Sequence, residues 1–156
     1  MELKDYLEVC STSRTGLRWK QRPKQSSVTP GEPAFTSVNG KGYYEGYFRG
    51  KRYLAHRVIV YLVSGKWPEQ VDHIDGNRRN NRQTNLRAVT AAENQHNKLA
   101  NGFKLDPRNG RYQARIRVDG KQVSLGSFAT KQEAQTAYLA AKRAYHPTAP
   151  ERCYVK

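Results

Sequence analysis

Val71-Asp72-His73-Ile74-Asp75-Gly76-Asn77, followed by Asn85-Leu86-Arg87-Ala88-Val89 and Thr90-Ala91-Ala92-Glu93-Asn94, is the stretch on which the fold turns. Asp75-Gly76 is turn chemistry, and Asn80-Asn81 extends it into a long polar loop. Asn85 to Val89 alternates apolar residues and reads as a returning strand. Thr90 and Glu93 have the spacing of a capping box, so a helix is expected from about Ala91, carrying Asn94, His96 and Asn97. The order is strand, long turn, strand, helix.

Asp72 and His73 are adjacent at a strand end, so their side chains point to opposite sides. Asn94 lies 22 residues beyond Asp72, and a helix packed across the two strands would face it toward that carboxylate. One carboxylate oxygen and one amide oxygen suit a hard cation, Mg²⁺ or Mn²⁺, while zinc favours nitrogen and sulfur donors. His73, with an ordinary pKa of about 6.5, is a base available near neutral pH. An Asp-His dipeptide at a turn is more often a structural hydrogen-bonding pair, so spacing alone does not decide between the two readings.

Upstream, Tyr43 to Phe48 and Arg52 to Leu54 flank Gly50-Lys51 as a β-hairpin. His56 to Ser64 places Val58, Ile59, Leu62 and Val63 on a helical stripe, closed by Gly65 and Pro68. His56 reads as capping or bracing that helix, with a catalytic role as the lesser alternative. Residues 1–40 are mixed, with Leu17 to Lys20 as a short strand and Pro23 to Pro33 as loop.

Downstream, Asn101-Gly102 is expected to end the helix and divide the chain into modules of residues 1–100 and 101–156. Phe103-Lys104-Leu105 is a short strand. Arg111 to Val118 alternates strictly, with Tyr112, Ala114, Ile116 and Val118 on one face and Arg111, Gln113, Arg115 and Arg117 on the other. Asp119-Gly120 is a hairpin turn, and Lys121 to Leu125 returns. Thr130 to Glu133 is a second capping box, opening a helix with Ala134, Ala137, Tyr138 and Ala141 on one stripe. The expected class is α+β, in two thin two-layer units.

The chain has 28 Lys+Arg against 13 Asp+Glu, a net charge of +15. Residues 41–100 hold 11 basic and 5 acidic residues, and residues 101–156 hold 11 and 4, so the excess runs through both folded stretches. Such a surface suits a polyanion. Cys10 and Cys153 are too few for a zinc ribbon or a disulfide framework. No apolar run approaches the roughly 18 residues of a membrane span, and Met1-Glu-Leu-Lys-Asp lacks the apolar core of a signal peptide. The expectation is a cytoplasmic protein with no membrane partner and no small-molecule cofactor.

Asp72-His73-Ile-Asp-Gly-Asn, Asn81-Arg82, Asn85-Leu86-Arg87 and Glu93-Asn94-Gln-His-Asn97 together resemble the His-Asn-His (HNH) endonuclease family, in particular phage and intron-encoded homing endonucleases. Gly-Lys-Gly-Tyr43, Tyr53-Leu-Ala-His56-Arg57 and Gly65-Lys-Trp67-Pro68 resemble that family's approach to the motif. The resemblance spans about residues 40–98. It implies a ββα-metal (His-Me finger) fold and DNA phosphodiester hydrolysis, in a phage-encoded protein acting in a bacterial host cell. It carries metal-ligand roles onto Asp72 and Asn94, the general base onto His73 and a loop-bracing role onto Asn85. Asn94 stands where many members have a second His, which leaves the part of Asn97 open. His96, about 200° round the helix from Asn94, is expected to face away. Arg78, Arg79, Arg82 and Arg87 surround the site and are expected to position phosphates of duplex DNA.

Residues 103–147 resemble the APETALA or ethylene-response-factor DNA-binding domain, through Tyr112-Gln-Ala-Arg115-Ile-Arg117-Val, Leu125-Gly126-Ser-Phe128 and Glu133-Ala134 with Ala137-Tyr138 and Ala141. That resemblance implies a three-stranded antiparallel sheet packed on one helix, reading the major groove. Arg111, Gln113, Arg115, Arg117 and Lys121 are the expected contacts; Arg pairs with guanine edges and Gln with adenine. The plant domain's frequent tryptophans are lacking here. A catalytically inactive DNA-binding regulator and an RNA-binding protein are the competing readings of the same basic surface.

Overall fold

The computed structural model describes residues 2–154. They form two compact units, Met1–Asn94 and Gln95–Lys156. The fold mixes α and β, and every strand pairing among the described residues is antiparallel. The division falls ahead of the expected Asn101-Gly102 turn. The reason is local: the preceding helix stops at His96, and the buried Asn97 accepts bonds on its carbonyl from Arg152 Nη1 and Cys153 Sγ of the second unit. No helix among the described residues is long and apolar enough to cross a membrane.

In the first unit, α1 (Leu3–Tyr6) runs into β1 (Leu7–Val9), which pairs with β2 (Leu17–Trp19). A meander follows: β3 (Ser37–Val38), β4 (Tyr44–Phe48) and β5 (Lys51–Leu54). The β4–β5 turn is Arg49-Gly50, both at positive φ (51° and 73°), one residue before the expected Gly50-Lys51. Two left-handed residues match the twist of a two-residue hairpin. Then α2 (Ala55–Ser64) starts directly from β5 and ends at Gly65, whose left-handed backbone (φ 72°) lets its N–H reach the Tyr61 carbonyl. Finally β6 (Gln70–His73) pairs with β7 (Leu86–Val89), and α3 (Ala91–His96) follows. The α3 start carries the expected reciprocal bonds between Thr90 and Glu93.

Seven of the eleven buried residues of this unit's core (Leu3, Tyr6, Leu7, Leu17, Trp19, Ala34, Phe35) come from the first 40 residues, the part hardest to read in the sequence. They pack with Phe48 and with the Ala55, Val58 and Ile59 face of α2. Burying side chains of this size contributes roughly 1.5–3 kcal/mol each. The N-terminal segment is therefore one wall of the nucleus that supports α2 and the β6–β7 pair. Tyr44, Tyr53 and Tyr61 lie half-buried around that nucleus.

In the second unit β8 (Phe103–Asp106), β9 (Arg111–Val118) and β10 (Lys121–Phe128) form a sheet of order β10-β9-β8. Asp119 and Gly120 both take positive φ (48° and 78°) at the β9–β10 turn. Strand β10 continues past the expected end at Leu125, because an irregularity between Ser124 and Gly126 absorbs one residue and lets pairing resume. Ala114 and Ile116 are buried, while Arg111, Arg115 and Arg117 are exposed. Helix α4 (Lys131–Tyr145) opens on the Thr130–Glu133 capping box and contacts all three strands.

On α4 Ala134 and Tyr138 are buried, whereas Ala137 and Ala141 are only half-buried, and Lys142 joins the buried stripe at 1% exposure. Its ammonium donates to the Lys98 carbonyl at 2.8 Å and lies 5.9 Å from the Tyr138 ring centre. A buried charge is tolerated only with such partners, and burial lowers its pKa. Gly102 sits beneath the same ring at φ 73°; an alanine Cβ there would meet Tyr138 at 2.0 Å. Gly102→Ala is expected to destabilise the chain by about 1–3 kcal/mol from overpacking alone. Urea denaturation followed by tyrosine fluorescence checks this, and an unchanged midpoint contradicts it.

Candidate functional site

His73 closes β6 and is 4% exposed. Its Nε2 lies 2.9 Å from Asn81 Oδ1. The Asn81 amide is oriented from its other side, because Nδ2 donates to the Thr15 carbonyl at 2.8 Å. A carbonyl accepts only, so Nδ2 must face Thr15 and Oδ1 must face the imidazole. The neutral His73 ring then carries its proton on Nε2, and Nδ1 is the basic nitrogen. Burial lowers the His73 pKa, opposed by the Asn81 bond and by the carboxylates of Asp75 and Asp72. Asn81 was legible as part of the motif, but nothing in its spacing revealed this role.

Two further rings enclose the His73 imidazole. His56, second residue of α2, has its ring centre 5.1 Å from that of His73, and Tyr43 lies 4.8 Å from His56 and 5.9 Å from His73. His56 caps nothing: the α2 N-cap is Leu54 and makes no side-chain cap bond. Its buried Nδ1 has no hydrogen-bond partner among the described residues. Burial, then the His73 and Arg57 charges, pull the His56 pKa down to about 3. It is a neutral wall beside His73.

Asp72 is buried and accepts from Arg87 Nε and Nη2 on one oxygen, at 3.2 and 2.9 Å. The two residues are cross-strand partners in the β6–β7 register. Arg87, expected as a phosphate contact, is thus turned inward as the counter-charge of Asp72. Asn94 of α3 donates from Nδ2 to Gln70 Oε1, so its amide oxygen is turned away from Gln70. Asn85 ties the loop together: its Nδ2 donates to Asp75 Oδ1 (2.9 Å) and the Asn80 carbonyl (2.8 Å), and its Oδ1 accepts from the Asp75 N–H (3.0 Å). Asp72 and Asn94 are thus each engaged within the protein, with Arg87 and Gln70; no cluster of three or more His, Cys, Asp or Glu residues suited to a metal occurs among the described residues.

Of the surrounding arginines, Arg78 donates to the Lys41 carbonyl and stacks 5.2 Å over Tyr43, while Arg79 and Arg82 are exposed. His96 and Asn97 belong to the second unit, where His96 stacks on His146 at 3.7 Å. On the β9 face, Arg111 donates to the Ser127 hydroxyl and carbonyl, Arg115 to Gln113, and Gln113 to Asp106. Asp106 of β8, which the reading of β9 by itself overlooked, is thus an acid within that surface. Arg117 and Lys121 are exposed.

The His56 environment has a measurable consequence. Its folded pKa is depressed from 6.5, so below pH 6.5 the unfolded chain takes up a proton that the folded chain refuses. Stability therefore falls as pH drops from about 6.5 toward 3. Between pH 7 and 5 the loss from this group is about 2 kcal/mol. His56→Phe keeps a ring in place without a titrating nitrogen, and is expected to shrink the pH 7-to-5 fall in denaturation free energy by about that amount. An identical pH dependence in the variant contradicts the assignment.

Residues 53–96 match the family model described as HNH endonuclease. An uncharacterized HNH endonuclease of Acanthamoeba polyphaga mimivirus is 31% identical over 102 residues, covering 62% of this chain and 54% of the relative. The chain thus spans about half the length of the curated relative it matches. No solved structure gives a significant match. His56, Asp72, His73, Asn81, Asn85 and Asn94 all lie inside the matched residues.

Proposed function

We propose that this protein is a metal-dependent DNA endonuclease of the homing type, with His73 as general base. The observation that carries the reading is the hydrogen-bond chain from the Thr15 carbonyl through Asn81 to His73. It fixes the imidazole proton on Nε2 and leaves Nδ1 to take a proton from the water that attacks the phosphodiester. When the attacking water loses that proton the ring becomes cationic, and the Asn81 oxygen continues to accept from Nε2–H. Protonation of His73 is thus supported without repositioning the ring. Burial beside neutral His56 keeps the ring uncharged before the reaction, which is the form a base requires.

Asp72 and Asn94 fit a divalent cation by donor chemistry, a carboxylate and an amide oxygen being suited to Mg²⁺ or Mn²⁺. Such an ion, when bound, would withdraw charge from the phosphate and the leaving oxygen. Arg87 balances the Asp72 charge within the protein, and Asn85 braces the loop that follows the base. Strands β6 and β7 with α3 then correspond to a ββα-metal unit.

The second unit is the candidate DNA-binding module, an APETALA-like sheet on a helix that meets duplex DNA through β9. Exposed Arg117 and Lys121 present charge directly. Arg111, Gln113 and Arg115 would exchange their intramolecular bonds for contacts to DNA. This arrangement supplies affinity and position, while the first unit supplies the chemistry.

The protein is expected to cleave duplex DNA in the presence of Mg²⁺ or Mn²⁺, and chelation with EDTA is expected to stop it. His73→Ala should lower the single-turnover rate by roughly 10²–10⁴ while leaving metal-free DNA binding intact. Asn81→Ala is expected to lower the rate by about 10–100-fold, the usual penalty for loss of an orienting partner. Cleavage by His73→Ala at the wild-type rate would contradict the assignment of the base.

A further inference from the structure

A groove in the first unit joins two of the expected phosphate contacts, Arg79 and Arg82, to the N-terminal hairpin, which the catalytic reading leaves without a substrate role. One wall is the β1–β2 turn with Ser11, Thr12 and Arg14; the other is the loop with Arg79, Arg82 and Thr84. No acidic residue and no aromatic residue lines it. Arg14, Arg79 and Arg82 are exposed, and no guanidinium of the three has a carboxylate partner among the described residues. By contrast Arg18, on the same hairpin as Arg14, is paired with Glu8.

The two walls are held together. Asn81, which lines the groove, donates to the Thr15 carbonyl and accepts from His73. Gly16 comes so close to the opposite loop that an alanine Cβ would meet the Asn81 carbonyl oxygen at 2.8 Å, and it holds φ at 78°. The groove is therefore built around the same asparagine that orients the proposed base.

We propose that this groove holds the sugar–phosphate backbone of duplex DNA beside the scissile phosphate, with Arg14 and the pair Arg79 and Arg82 neutralising phosphates from opposite walls. Unpaired guanidinium groups interleaved with hydroxyls and side-chain amides are the donor set that phosphate oxygens accept from. The absence of aromatic rings from the lining favours backbone contact over stacking of unpaired bases. Contacts of this kind are independent of sequence. The proposal extends the endonuclease reading by giving the N-terminal hairpin a substrate-binding role, and it rests on that reading for the identity of the substrate.

The test is binding of the full-length chain to a fluorescently labelled DNA duplex in EDTA, measured by anisotropy over a range of salt concentrations. Loss of one phosphate contact is expected to reduce the slope of log affinity against log salt by about 0.9, and to weaken binding about fivefold at physiological salt. Arg14→Gln should show this change on duplexes of unrelated sequence. Arg18→Gln removes the same charge from the same hairpin and should leave the slope unaltered. Arg82→Gln, on the opposite wall, should reproduce the Arg14→Gln effect and serves if the latter melts at lower temperature. A wild-type slope in both groove variants, or an equal loss in Arg18→Gln, overturns the proposal. Because no metal is present, the outcome is independent of cleavage: a groove effect in a protein that never cuts would keep the binding site and remove the nuclease reading.

Discussion

A backbone carbonyl that accepts from one side of an asparagine amide determines the chemistry available on the other side. Thr15 receives the Asn81 amide protons, so the Asn81 oxygen must meet His73, and the imidazole must present Nε2–H to it. Everything proposed for the base depends on this relay. It also explains why the N-terminal hairpin is packed into the first unit's core instead of hanging from it: the Thr15 hydroxyl donates to the Ala34 carbonyl, anchoring the turn whose carbonyl Asn81 needs. A strand pair distant in sequence therefore sets the tautomer of a ring on β6.

The electrostatic arrangement around that ring follows a single pattern, in which charge is either balanced at once or kept out. Asp72 is buried with Arg87 directly across the β-ladder. Asp75 is held by Asn77, Asn80 and Asn85 in the loop. His56 stays neutral because burial and its neighbours make protonation unfavourable. Arg14, Arg79 and Arg82, exposed and without a carboxylate partner among the described residues, lie on the rim, where the proposed phosphate backbone would compensate their charge. Desolvation of the interior and exposure of the rim are thus complementary requirements of one site.

Much of this was legible in the sequence because it is local. The capping boxes at Thr90 and Thr130, the Gly65 helix stop, the Asp119-Gly120 turn and the alternation of β9 each depend on neighbours a few residues away, and each appears where its chemistry placed it. What escaped is long-range. Thr15 and Asn81 are 66 residues apart, and a serine- and threonine-rich turn gives no sign that its carbonyl will orient the His73 ring through Asn81. His56 read as a helix brace because its partners, Tyr43 and His73, come from other elements. Arg87 read as a phosphate contact because pairing across a ladder is invisible until the register is known.

The central claim is the tautomer of His73, and it can be observed without substrate or metal. Nitrogen-15 chemical shifts and ring couplings of the imidazole, recorded on labelled protein at neutral pH with His73→Ala for assignment, report which nitrogen carries the proton. The account predicts a protonated Nε2 and a basic Nδ1. A His73 ring protonated on Nδ1 would contradict it, since neither the Asn81 relay nor the proposed path of the water proton survives that arrangement.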